Sequence, residues 1–356
     1  MKQAALIGSA LILSALAPGW AFAAVAPGPI PVRGDSPYRH KPSGITLAAN
    51  AAGFFRVKVT SFDANELNVA IDYRSADGGD FVTLYIFRNV TGGIGPWFDR
   101  ARRSLEANPR VGRASLAGPV AAFAPYGQRV AGALKANYAL TNSQFRSTSI
   151  ALTGTPEWYV KVRASSTTRT PEQLSQIVDA AFGAVSWPRQ AQLQPVTEVA
   201  DCQTPLAPSG PAKPAPPDSS ALLMSALGGA VSMEAKSKAQ VAPAAPAIWC
   251  REPGGSPNAT VYRPDGATDR YLLAINDAGI GAVVGRDELA SLMSTAKTPR
   301  YSVQMMMMDR NEGLGAFASL PPATQAMQLV ESGKIVFSST TWGKGSRISI
   351  DAGSIK

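Results

Sequence analysis

The chain has 356 residues, is 45% hydrophobic and 17% charged, and carries 34 Lys and Arg against 25 Asp and Glu. It is long enough for two domains and apolar enough to bury real cores. Its one histidine, His40, excludes sites that need a positioned imidazole beside a Ser or Cys nucleophile, and catalytic zinc sites, which usually take at least two.

The chain opens with Met1-Lys2-Gln3, an apolar run from Ala4 to Ala17, the breaker Pro18-Gly19 and the small-residue pattern Ala21-Phe22-Ala23. These are the charged, apolar and cleavage regions of a secretory signal peptide over 1–23, with cleavage expected after Ala23. The apolar run is about 14 residues long, short of the ~20 a spanning helix needs. No Cys sits at the cleavage site and no Arg pair precedes the run, so Sec-type export to the periplasm as a soluble protein is expected, with no membrane span after cleavage. In that oxidising compartment the two cysteines, Cys202 and Cys250, read as a disulfide. The loop between them is about 48 residues, for which the chain-entropy model gives about 4 kcal/mol. Disorder of that loop in the folded state would reduce this.

A Pro/Gly-rich lead over 24–43 has the composition of a flexible arm. Phe54 to Val59 and Leu67 to Tyr73 alternate as half-buried strands do, Asp77-Gly78-Gly79-Asp80 signals a turn, and Phe81 to Phe87 is a β-prone run. Pro96 is placed for the first turn of a helix that puts Trp97, Phe98, Ala101 and Leu105 on one face and Arg100, Arg103 and Glu106 on the other. Leu134 to Leu140, Phe145 to Leu152 and Trp158 to Arg163 read as further strands. The last sets Trp158, Val160 and Val162 against Tyr159, Lys161 and Arg163. Thr170-Pro171-Glu172-Gln173 is a capping box that starts a helix with apolar residues at helical spacing from Leu174 to Val185. This first domain is expected over 44–190.

From 191 to 246 the composition shifts to Pro, Ala, Ser and Gln, which predicts a linker with a short helix over Leu222 to Met233. A second domain follows over 247–356. Its expected elements are a hairpin from Tyr271 to Val284, a short helix capped by Asp287, a strand from Tyr301 to Met308, a helix from Pro321 to Ser332 stopped by Gly333, and a closing hairpin. The expected fold class is α+β: two domains, each an antiparallel β-sheet with a few packed helices, joined by the Pro/Ala-rich linker. No internal repeat is visible.

The charge is uneven. Residues 24–190 hold 19 Lys and Arg against 11 Asp and Glu, while 245–356 hold 11 against 10. A basic first domain outside the cytoplasm suits anionic lipid headgroups, lipopolysaccharide or cell-wall polymers, or another envelope protein, rather than nucleic acid. The densest basic run is Arg100, Arg102, Arg103, Arg110 and Arg113, of which Arg100, Arg103, Arg110 and Arg113 are the candidate anion-binding residues against a solvated helix face as the plain reading. Gly279-Ile280-Gly281-Ala282-Val283-Val284-Gly285 misses the dinucleotide spacing and is filled with β-formers, so it reads as a glycine-edged hairpin. Met305 to Met308 could offer thioethers to Cu(I), but alternate strand residues face opposite sides, which favours Met as padding on both faces. No paired carboxylates suited to hydrolysis stand out. Asp72 and Asp80 read as turn formers. No catalytic residue, metal ligand or cofactor is assigned.

The run Val69-Ala70-Ile71-Asp72-Tyr73, then Val82 to Phe87, Phe145 to Thr148, Trp158 to Arg163 and a terminal amphipathic helix resembles a group of uncharacterised secreted proteobacterial proteins. The layout from Gly44 to Trp187 also resembles the PsbP/DcrB-like fold. That resemblance implies an α+β domain acting in binding or assembly and supplies no functional residue. The reading is therefore a non-enzymatic periplasmic protein, with a hydrolase that uses carboxylates on cell-wall glycan or peptide as the alternative.

Overall fold

The computed structural model describes residues 26–353 except 52, 126, 189–192, 207–209, 239–246, 254–257, 295–297, 346 and 352, with the backbone alone over 229–238. The expected signal peptide lies outside the described residues.

Alternation builds the first sheet. In Asn68–Ser75, Val69, Ile71 and Tyr73 are buried while Asp72 and Arg74 reach the other face. Asp80–Arg88 behaves likewise. Strands Phe54–Ser61, Asn68–Ser75, Asp80–Arg88, Trp158–Ser166, Ser147–Gly154, Ala133–Thr141 and Arg113–Leu116 lie side by side in that order, all antiparallel. Helix α1, Ile94–Glu106, and helix α2, Pro171–Phe182, pack on the same central strands. Ser147–Gly154 is buried along its whole length, as a strand covered on both faces must be. The capping box forms: the Thr170 hydroxyl accepts from Gln173 N, and the Gln173 side chain accepts from Thr170 N.

The lead is not a free arm over its described residues. Gly28–Pro29 pairs with Phe54–Ser61, and Tyr38–Arg39 pairs with Thr46–Leu47. The burial of Tyr38 and His40 outweighs the Pro/Gly composition. His40 has no solvent exposure and packs edge-on to Trp158, with ring centroids 4.9 Å apart. Its Nε2 lies 2.6 Å from the Glu66 carbonyl, which can only accept, so Nε2 carries the proton and Nδ1 accepts from the Ser43 hydroxyl at 2.6 Å. Burial, working against the Glu66 carbonyl and nearby acids, pulls the His40 pKa below its ordinary value. The unfolded chain therefore takes a proton near pH 6.5 that the folded chain refuses. Stability is expected to be full above that pH and to fall below it, by at most about 1.4 kcal/mol per pH unit for this one proton. Urea unfolding of the parent and of His40→Gln at pH 7.5 and 5 checks this. The idea fails if both lose stability equally.

The second sheet runs Ala200–Asp201, Trp249–Arg251, Thr260–Pro264, Arg270–Ala274, Gly281–Arg286, Tyr301–Met306, Arg310–Phe317, Phe337–Thr340 and Ile348–Ile350. Among the described residues only its first pair is parallel. Helices α3, Ser219–Lys238, α4, Glu288–Met293, and α5, Ala323–Ser332, accompany it. Asp287 caps α4 by accepting from Ala290 N, and Gly333 ends α5 in the left-handed conformation.

The segment expected as a linker is folded onto this sheet over much of its described length. Ala200–Asp201 is a strand, Pro214 bridges Phe317, Gln325 holds both backbone groups of Ala212, and Ala221 and Ala226 are buried. Small residues let this chain lie close to the sheet, a packing that composition does not distinguish from a spacer. The Cys202–Cys250 disulfide forms beside the parallel pair.

The sheet's two faces belong to two cores. Val261, Tyr271, Leu273, Val303 and Met305 pack with Leu314 and Val330 in the core of the second domain. Tyr262, Leu272, Ala274, Met306 and Met308 instead join the core of the first domain. The methionine run thus pads both faces of its strand, as the alternation argument expects. The domains meet through buried side chains, with α1 between them. Asp99 of α1, 1% exposed, accepts at Oδ1 from Arg251 Nη1 at 2.8 Å and Arg102 Nη2 at 3.2 Å. Its Oδ2 accepts from Tyr262 OH at 2.8 Å and Arg103 Nε at 3.2 Å. Arg88 donates to the Met308 carbonyl and to Thr341.

Candidate functional site on the open face of the first sheet

The face of the first sheet turned toward the second domain is only partly covered. Register sets its side chains in cross-strand rows. Phe55, Arg74 and Phe81 form one row. Lys58, Asp72, Thr83 and Arg163 form the next. Tyr85 and Lys161 form a third, where the second domain begins.

The third row is closed. Lys161 Nζ donates to Asp277 Oδ2 and to the Asp277 carbonyl, both at 2.8 Å, and lies 4.7 Å from the centre of the Tyr85 ring. Burial would raise the Asp277 pKa, but the charge and hydrogen bond of Lys161, with Arg163 and Arg100 behind it, hold it below the ordinary carboxylate value. Asp277 is therefore an anion committed to its lysine. Burial pushes the Tyr85 phenol up to about 12 despite Arg163, so it stays protonated.

The first two rows are open. Phe55 is 51% exposed, and Arg74 and Lys58 are exposed. The Arg74 guanidinium sits over the Phe81 ring, 5.1 Å from its centre, and Phe81 meets Phe145 edge-on at 5.6 Å. Among the described residues Lys58, Arg74 and Arg163 have no carboxylate at ion-pair distance. Arg163 is half-buried, and its Nε is sealed from solvent without an acceptor. The one carboxylate in these rows, Asp72, accepts the Thr83 hydroxyl at 2.8 Å. Cations therefore exceed anions here, with aromatic rings between them. Such a surface offers planar, forked donors to carboxylate, sulfate or phosphate and flat apolar faces to ring-shaped groups.

Among the described residues no three His, Cys, Asp or Glu side chains converge to hold a metal ion, and no helix is long and apolar enough to cross a membrane. Comparison with known proteins finds no matching family model, no matching curated protein and no matching solved structure. The site therefore has to be read from its own chemistry.

The arginines picked from sequence do not converge. Arg100 is buried and donates to the Ile275 carbonyl at 3.2 Å, and Arg103 is turned to Asp99. Arg110 and Arg113 are exposed beyond the end of α1. Arg100 was assigned to a polar helix face, but the second domain covers that side of α1. The cations that do share an open face come from two consecutive strands, Phe54–Ser61 and Asn68–Ser75, and a third far along the chain, Trp158–Ser166. The local clues are the alternations of Phe54 to Val59 and of Trp158 to Arg163, the second of which sets Tyr159, Lys161 and Arg163 on a common face.

A second concavity of about 1210 Å³ lies beside the disulfide, floored by Val261, Arg263 and Tyr271. Its one arginine is paired. Arg263 Nε meets Glu252 Oε1, and the same guanidinium donates to the carbonyls of Thr204 and Ala267. That arginine holds the groove's loops together, while Asp201 pairs with Arg251 and the exposed Asp265 accepts from Ile248 N at one oxygen.

Proposed function

We propose that this chain is an exported, non-enzymatic envelope protein whose first sheet binds an acidic polysaccharide of the cell envelope. The signal-peptide pattern of Met1 to Ala23 and the disulfide support export. The observation that carries the binding reading is Arg163, a half-buried guanidinium with no carboxylate at ion-pair distance among the described residues, set opposite Thr83 and one row from Phe55, Arg74 and Phe81. A desolvated cation is costly unless an anion completes it. Sugar rings would lie on the phenylalanine faces, and their carboxylates or sulfates would take the guanidinium forks. A two-carboxylate hydrolase finds no support on this face, because Asp277 is committed to Lys161 and leaves Asp72 alone.

Titration of the mature protein with oligogalacturonate, and with neutral dextran as control, tests this. Binding to the acidic oligomer is expected, weakening with added salt. Arg163→Ala and Arg74→Ala should each weaken it about tenfold, the loss of one charge-assisted contact of about 1.4 kcal/mol. Equal affinity for dextran, or for the two variants and the parent, would overturn the reading.

A further inference from the structure

A second site, independent of the first sheet, lies under helix α3. A cavity of about 380 Å³ opens between the N-terminal half of α3 and the outer face of the second sheet. That size is ordinary for a small-molecule site. Its floor and far wall are apolar: Val303, Leu314, Leu329, Val336 and Phe337 line it.

An arginine and a lysine line it. Arg300 lines the cavity and is 8% exposed. Its side chain makes one hydrogen bond, from Nη1 to the Pro216 carbonyl at 2.9 Å, and no carboxylate lies at ion-pair distance among the described residues. Lys334 lines the same cavity. The cavity also touches two carboxylates, but all four of their oxygens are occupied. Asp218 accepts from Ala221 N at 3.0 Å and the Ser294 hydroxyl at 3.1 Å. Asp287 accepts from Ala290 N at 2.9 Å and the Ser225 hydroxyl at 2.5 Å. The two hydroxyl bonds tie α3 to α4, the two amide bonds cap the helices, and the Arg300 fork remains as the donor able to take an incoming anion.

The outer surface of the same helices has the matching character. Leu223 and Leu227 on α3 and Leu289, Leu292 and Met293 on α4 remain exposed, while Ala221 and Ala226 take the buried side of α3. Leu222 lines the cavity, and so many exposed large apolar side chains are more than a helix needs whose only task is to cover a sheet.

We infer that the cavity under α3 binds a small amphiphilic carboxylate, its head group on Arg300 and its hydrocarbon tail over Val303, Leu314 and Phe337. The exposed leucines of α3 and α4 give such a ligand an apolar approach to the cavity.

Isothermal titration of the mature protein with decanoate, and with decanol as the uncharged tail, tests this. Decanoate is expected to bind one to one, and decanol at least tenfold more weakly. Arg300→Gln should weaken decanoate about tenfold or more. Because Arg300 also ties down Pro216, a second variant, Ala221→Leu, fills the cavity from its wall without touching a charge, and it too should lose decanoate while melting as a folded protein. Arg163→Ala should bind decanoate as the parent does, which separates this site from the sheet face. No heat with decanoate, equal binding of decanol, or full binding by a folded Ala221→Leu would each overturn the inference.

Discussion

Asp99→Ala is expected to cost about 3–5 kcal/mol of unfolding free energy, the range for removing one partner of a buried ion pair. The carboxylate is nearly inaccessible and meets three guanidinium groups and a phenol. Without it those groups do not fare equally. Arg251 keeps Asp201 at 2.5 Å, and Arg102 keeps Glu198 at 3.7 Å. Arg103 loses its acid partner, and the Tyr262 hydroxyl, on a residue with no exposure, loses its acceptor. Tyr262 cannot compensate by ionising, because burial, the largest cause of its raised pKa, remains when the carboxylate is gone. Asp99→Asn keeps the shape and removes the charge, so its cost should be smaller and its pH behaviour different. Burial alone would raise the Asp99 pKa, but Arg251 and the hydrogen bonds from Tyr262 and Arg102 hold it below the ordinary value. A lowered carboxylate contributes stability that is present above its unfolded pKa, about 3.9, and lost as pH falls through the folded one. The Asn variant should therefore lack part of the acid-induced loss below pH 4. Urea titrations of the three proteins at pH 7 and pH 3 measure both effects. A loss under 1 kcal/mol for Asp99→Ala at pH 7 would mean that the two domains do not depend on this contact.

Much of the fold is legible from local signals, and each legible element has a local cause. Thr170 and Gln173 satisfy each other's backbone groups three residues apart, Asp287 caps its own helix, and Gly333 adopts the one conformation that ends α5. Strand Arg310–Phe317 is hidden for an equally physical reason. Gly313 and Gly315 read as breakers, yet a Cβ on Gly313 would lie 2.0 Å from the Phe337 ring, and Gly315 sits at φ +156° beside a register shift at Val303 and Gln304. The glycines are there because other side chains fill the space. The segment before α3 hides similarly, since its two-residue parallel pairing is specified by contacts 50 residues away, Ala200 with Cys250. The candidate site was legible only in part. Helical spacing places Arg100 and Arg103 on one polar face, but what covers that face comes from Ile275 and Arg251 in the other domain. Cross-strand register, which brings Lys58, Arg74 and Arg163 to one face, is a property of the sheet and of no single strand.

Replacing both cysteines, Cys202→Ser with Cys250→Ser, is expected to cost about 3–4 kcal/mol, near the full chain-entropy value for a separation of 48 residues. Disorder in the loop would have argued for less, but described parts of the loop are packed, through Ala212, Pro214, Ala221 and Ala226, and those parts gain little freedom when the bond is removed. The unfolded chain gains nearly all of it. The bond also acts locally. Ala200–Asp201 is a two-residue edge strand, and beyond the disulfide it is held by the Cys202 N–H to the Arg251 carbonyl and by the Arg251–Asp201 ion pair. Arg251 is the residue after Cys250 and the same side chain that reaches Asp99. Loosening the staple should loosen the contact between the domains. The double-cysteine change and Asp99→Ala should therefore be less than additive, by at least about 0.5 kcal/mol, whereas distant independent sites add. Urea unfolding of the parent, the cysteine pair variant, Asp99→Ala and the triple variant completes that cycle. Strict additivity would place the disulfide's effect in the unfolded chain alone, and a cost under 1 kcal/mol for the cysteine pair would show that packing, not the bond, holds the edge strand.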